Sequence, residues 1–327
     1  MKRRDFMTLI GSAAIVSPLA AVAQNLPRIY RVGLLSAGPP IADNSPLGTP
    51  LIHGFAKHGY ALNGNLQFER RGAEGKVDHL PQLVEELTAS KVEVIVTSGY
   101  PATLAAKQGT VLPVVAIYAG DPVGTGLVDS LAHPGGHLTA ISDVSVEITP
   151  KRLELLKQIA PNLHRVAILW NANDLGMTLR YQASEAGAKA LGVSVQPLGV
   201  REPNEFDQAF AAMNDDMPDA ILMVADSLTI LNRKRVFEFA AMHRLPAIYE
   251  FDFLVRDGGL MSYGPDLDES FDRVAALVDR ILKGAKPAEL PCEEPTLFRF
   301  ALNLKTAKSI DIDVSPSLVA RADEVIE

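Results

Sequence analysis

Small hydroxyls, carboxylates and aromatic rings recur in this chain at one kind of place, directly after a short apolar run. Ser36-Ala37-Gly38 ends RVGLLSAG, and Thr97-Ser98-Gly99-Tyr100 follows EVIV and opens into Pro101, a favoured first helical residue. Ala119-Gly120-Asp121 follows PVVAIY, Trp170-Asn171 ends RVAILWN, Asp226-Ser227 comes after DAILMV, and Tyr249-Glu250-Phe251 ends LPAIYEF. Tyr263 lies in LMSYG. A serine hydroxyl beside free N–H groups at a helix start can cradle an anion or a carboxylate. A carboxylate such as Asp121 or Asp226 can accept from an ammonium or hydroxyl, and the sole tryptophan can stack on a planar molecule. Ser36, Ser98, Gly99, Tyr100, Asp121, Trp170, Asn171, Asp226, Tyr249 and Tyr263 are therefore the candidate ligand contacts. Plainer roles compete with these, since Ser98 and Asp121 are also good helix caps and Trp170 also suits a core.

No set of residues has the spacing of a catalytic or metal site. Ser262 sits in LMSYG, which lacks the first glycine of a nucleophile elbow. Gly33 to Gly38 is followed by Pro39, so no phosphate-loop lysine is present, and Gly124-Thr125-Gly126 lacks the third glycine of a dinucleotide fingerprint. His133 and His137 are separated by Pro134-Gly135-Gly136, which forbids a helical metal pair. The expectation is binding without catalysis, cofactor or metal.

The elements that must position these residues alternate in type. Arg31–Ser36, Glu93–Thr97 and Pro113–Tyr118 are β-branched runs too short for helices, and between them lie helical spacings over Leu51–Gly59, Val77–Ser90 and Pro101–Gly109. Asn65–Arg71 alternates like an edge strand. The second half repeats the plan, with strands at Arg165–Trp170, Asp219–Val224 and Leu245–Tyr249 and helices at Met177–Leu191, Asn204–Met213 and Leu228–His243. This order predicts two similar doubly wound α/β lobes, each with a parallel sheet covered on both faces. Gly- and Pro-rich joins near 134–136, 257–259 and 287–295 predict three crossover strands between them. The expected division is residues 28–141 with 264–290 in one lobe and 142–263 with 291–327 in the other. Ligands of open α/β sheets sit beyond the carboxyl ends of strands, so the candidate residues should converge on one cleft.

The chain start carries Lys2, Arg3 and Arg4, an apolar run from Leu9 to Ala20, and Ala21-Val22-Ala23. This is the pattern of a cleaved export signal over residues 1–23, and Arg3-Arg4-Asp5-Phe6-Met7 fits the twin-arginine route, with Sec export the competing reading. The apolar run is shorter than the roughly 20 residues of a membrane span. Without Lys2, Arg3, Arg4 and Asp5, the 31 basic and 39 acidic residues become 28 and 38, a formal net charge of −10. That balance argues against nucleic-acid binding. Cys292, the single cysteine, excludes an internal disulfide.

The runs RVGLLSAG, VEVIVTSGYPATLAAK, AGDPVGTGLVDSLAHPGG and KRLELLKQIAPNLHRVAILWNAN resemble the substrate-binding proteins of ABC transporters of the tryptophan/tyrosine-importer type. So do LPAIYEF, GGLMSYGPDL, VDRILKGAKPAELP and NLKTAK, and the resemblance covers nearly all of residues 28–327. It implies a type I periplasmic-binding fold and no catalysis, while the export signal predicts a soluble periplasmic chain and a clamshell that docks on a permease is expected to be a monomer. It also implies an amino acid, in some members aromatic, or a related amphipathic solute as ligand, and a permease with its ATPase as partners. A ligand-sensing module feeding a signalling receptor is the alternative. Tyr100 stands where relatives usually carry a small residue.

Overall fold

Alternation along each strand sends β-branched and leucine side chains to both faces of a sheet, and helices on both faces bury them. The computed structural model describes residues 28–142 and 144–327, and the expected export signal lies outside these residues. The first lobe comprises Tyr30–Ser36 (β1), Gly48–Lys57 (α1), Leu66–Gly72 (β2), Leu80–Ala89 (α2), Val94–Ser98 (β3), Tyr100–Gly109 (α3), Val114–Ile117 (β4) and Leu138–Ile141 (β5). Its sheet is parallel throughout, in the order β2-β1-β3-β4-β5. On one face, Ile95 and Val114 pack against Leu80, Val84 and Leu87 of α2 and Ala102 and Ala106 of α3. On the other, Val94 and Val96 meet Leu51 and Phe55 of α1.

The second lobe begins with Ser145–Ile159 (α4), Arg165–Asn171 (β6), Leu175–Ala190 (α5), Ser194–Val200 (β7), Glu205–Asp215 (α6) and Ala220–Met223 (β8). Ser227–Leu231 (α7), Arg233–Met242 (α8), Ala247–Tyr249 (β9), Asp252–Arg256 (α9) and Met261–Pro265 (β10) follow. The chain then crosses to the first lobe for Leu267–Leu282 (α10), and returns for Phe298–Asn303 (β11), Leu304–Ser309 (α11), Pro316–Val319 (α12) and Glu324–Ile326 (β12). The second sheet has the order β12-β11-β10-β9-β8-β6-β7, parallel except for the β10–β11 pair. Two α/β lobes with mainly parallel sheets are thus observed.

Helix α10 is the element that ties the lobes' chain order together. Its buried stripe of Phe271, Val274 and Val278 joins the core that α1 covers, so a segment late in sequence completes the first lobe. Asp266 caps it by accepting from the Glu269 N–H at 2.8 Å. The returning strand is pinned beside β5, where the Glu293 N–H donates to the Ala140 carbonyl at 3.0 Å. The Glu269 carboxylate then accepts from the backbone of Thr296 and Leu297 and from Arg273.

Strand β7 was not expected from the sequence. Pro197 and Gly199 interrupt its apolar residues, and proline is tolerated because β7 is an edge strand paired only with β6. The single helix expected over 228–243 is two helices, broken at Asn232. Among the described residues, no helix is long and apolar enough to cross a membrane.

Candidate functional site

The carboxyl ends of both sheets face each other across a cavity of about 360 Å³. Its first-lobe wall is Ser36 to Ile41, Ser45 to Leu47, Ser98, Gly99, Pro101 and Tyr118. Its second-lobe wall includes Asn171, Asp174, Met177, Asp226, Ser227, Leu228, Phe251 and Phe253. Most of this surface is apolar; its polar groups include one set at the start of α3 and an acidic pair on the second lobe, whose wall also carries Arg201, Glu202, Arg233 and Asp257.

The first set surrounds the start of α3. Gly99 is its N-cap residue at φ +87°, a left-sided conformation glycine adopts without strain, and no side chain caps the helix. Ser98 therefore does not take the capping role that competed for it. Ser98, Gly99 and Pro101 at the start of α3 line the cavity wall, where the helix dipole favours negative charge. Ser36, nearby, accepts from the Gly38 N–H at 3.0 Å.

The second set is acidic. Asp174 caps α5, accepting from the Met177 N–H at 3.1 Å, and is 2% exposed. Burial, followed by the neighbouring charge of Asp226, pushes its carboxyl up to about 7. Asp226 caps α7 in a capping box with Thr229. Its Oδ2 accepts from Asn171 Nδ2 at 2.6 Å, and its Oδ1 from the Thr229 N–H at 2.9 Å. Burial raises this carboxyl above its ordinary value, while those hydrogen bonds oppose the rise. Buried Asp174 and partly buried Asp226 thus give this part of the wall an acidic character.

Of the ten candidate contacts, Ser36, Ser98, Gly99, Asn171 and Asp226 stand on the cavity wall. The other five do not. Trp170 points away because strand neighbours alternate: Asn171 reaches the cleft, while Trp170 shares the opposite face with Ile168 and stacks on Tyr181 of α5 at 3.8 Å. Its indole lies over Gly199 of β7, where a Cβ would come within 2.9 Å of the ring. Asp121 turns back to its own loop and accepts from the Val123 N–H at 2.9 Å. Tyr249 is fully buried against Phe237 and lines a separate cavity of about 250 Å³ on the α8 side of its lobe. Tyr263 packs on Phe298, and its carbonyl accepts from Arg152 Nε at 2.7 Å. Tyr100 begins α3 just off the wall, and burial together with the charge of Asp174 raises its hydroxyl above the ordinary value.

Sequence reasoning missed Asp174, Tyr118 and Phe253. Asp174 was detectable as an acidic residue three positions ahead of Met177, the spacing of an N-cap. Tyr118 was placed inside a strand, but it stands one residue past β4 at φ +56° and meets Phe251 of the other lobe edge to face at 5.0 Å. Behind the cleft, Glu250 holds Arg152 of α4 at 3.1 Å and Arg180 of α5 at 2.7 Å, all three buried.

Known proteins share this architecture. A tyrosine-binding protein of Clostridioides difficile is 23% identical over 263 residues, spanning 80% of this chain and 75% of that protein. The structure superposes with a TM-score of 0.83 on an ABC domain from Streptococcus pneumonia solved with L-Trp, 24% identical, covering 91% of this chain and 100% of that one. The ligand-free, open structure of a Clostridium difficile substrate binding protein, 20% identical, matches with a TM-score of 0.63 over 91% of this chain and 99% of that one. The sequence model of the ABC transporter substrate binding protein family matches residues 48–326, and the chain belongs to that family.

Proposed function

We propose that this chain captures an amino acid with an apolar, preferably aromatic, side chain in the interlobe cleft and delivers it to an ABC permease driven by its ATPase. The observation that carries this reading is the opposition of charge across one apolar cavity. Asp174 and Asp226 suit an α-ammonium on one wall, and the uncapped start of α3 with Ser98 suits an α-carboxylate on the other. Between them, Ile41, Leu47, Tyr118, Leu228, Phe251 and Phe253 suit an apolar or ring-bearing side chain. The chain acts as a monomer in the periplasm, reached through the signal over residues 1–23.

Capture proceeds by closure. The three crossing segments after β5, after β10 and before β11 act as hinges, and a ligand touching both walls favours the closed arrangement because it binds that state better. The better superposition on the L-Trp complex than on an open, ligand-free relative supports placing the present arrangement at the closed end.

A thermal-shift screen of residues 24–327 against amino acids, aromatic acids and nucleosides tests the ligand class. Binding to the native state raises the melting temperature by mass action, about 2.7 kcal/mol at a hundredfold excess over Kd. The reading predicts shifts with aromatic or branched L-amino acids. A shift confined to nucleosides or aromatic acids contradicts it.

A further inference from the structure

Away from the cavity wall, the two lobes meet backbone to backbone at Gly120 and Gly176. Gly120 follows β4 in the first lobe at φ +83°, and Gly176 is the second residue of α5 in the other lobe. A Cβ on Gly120 would lie 2.8 Å from the Gly176 Cα, and a Cβ on Gly176 would lie 2.9 Å from the Ala119 carbonyl oxygen. Both separations are shorter than real Cβ contacts, and neither neighbour is a side chain that can swing aside. The other interlobe glycine contacts are looser and end on side chains: a Cβ on Gly38 would be 3.3 Å from Ser227 Oγ, and one on Gly75 would be 3.7 Å from Leu231 Cδ1. The lobes therefore seat most tightly where both partners lack a side chain.

We infer that Gly176 and Gly120 are positioning residues that set how far the lobes close, and so how deeply Asp174 is carried towards the ligand. Asp174 lies two residues before Gly176 and caps the same helix, so the depth of this contact fixes the height of its carboxylate over the cavity. Neither glycine lines the cavity, so each acts on affinity through closure and not through ligand contact. This inference rests on the closure reading above.

The test pairs calorimetry with solution scattering, using L-tryptophan and L-tyrosine as probes. In Gly176→Ala the new methyl also comes 3.2 Å from Asp174 Oδ1, whereas Gly120→Ala reaches the contact from the other lobe without touching that carboxylate. Gly126→Ala controls for backbone strain, because Gly126 is at φ +70° with nothing within 4 Å of its Cβ position. Alanine is the better helix former, so Gly176→Ala keeps the ligand-free melting temperature. Both contact variants should bind at least tenfold more weakly than Gly126→Ala and fail to compact on adding ligand. If both bind and compact like the wild type, the positioning role is overturned while closure stands. If the wild type binds without compacting, or binds no amino acid, the closure or ligand reading fails and takes this inference with it.

Discussion

Asp174 is where electrostatics and binding meet. Its carboxyl is raised to about 7 by burial and by Asp226, with Tyr100 facing it from the first lobe. An ammonium ligand needs the ionised form, so affinity should fall as pH drops from about 7 to 5, by up to roughly tenfold per unit. Calorimetric titration at several pH values checks this, and a flat profile in the wild type removes the carboxyl from the binding step. Asp174→Asn preserves the cap, since asparagine caps as well as aspartate. It should weaken binding at pH 8 by about 2–3 kcal/mol, roughly 30- to 150-fold, and flatten the pH dependence. The sign for stability is opposite. A folded-state value above the unfolded one means the native chain holds the extra proton between the two, so ligand-free stability falls as pH rises from about 4 to 7. Asp174→Asn should therefore raise the ligand-free melting temperature at pH 8. At this scale the sequence identified residues that end strands, such as Asn171 and Asp226, because a strand end is readable from a β-branched run. It could not say which way Trp170 points, because that depends on the face α5 covers.

Strands and helices explain the rest of that misplacement. Trp170 lies between Tyr181 and Gly199, so it belongs to the packing of α5 and β7 on β6. Trp170→Ala should cost about 3–5 kcal/mol of stability in denaturant unfolding, as large core truncations do. Ligand affinity of the folded fraction should be unchanged, and a loss of affinity larger than about threefold would return Trp170 to the ligand wall. The triad of Arg152, Glu250 and Arg180 joins α4, α5 and the end of β9 beneath the cleft. Glu250→Gln removes the carboxylate between two buried guanidiniums, an uncompensated charge worth about 3–5 kcal/mol. Equilibrium unfolding measures it, and a change under 1 kcal/mol contradicts a structural role for the pair. The alternation of strand and helix was legible because each buried strand is a near-continuous apolar run. Strand β7 was not, since an edge strand carrying Pro197 and Gly199 loses that signature.

Two lobes from one chain follow from the repeat of the same strand and helix plan in each half. The Gly- and Pro-rich joins of the sequence predict residues 264–290, and so α10 between β10 and β11, as part of the first lobe. In the structure Phe271, Val274 and Val278 of that helix pack into the core under α1. Only the assembled molecule brings the start of α3 opposite Asp174 and Asp226, because the two walls are far apart in sequence and meet across the cavity. The central claim is that this opposition recognises both charged ends of an amino acid. Calorimetric titration of residues 24–327 with the tightest amino acid of the thermal screen, alongside its decarboxylated and its deaminated analogues, tests it most directly. The account predicts that the amino acid binds and that losing either end weakens binding by about 2–3 kcal/mol, roughly 30- to 150-fold. Equal affinity for the parent and either analogue would contradict it.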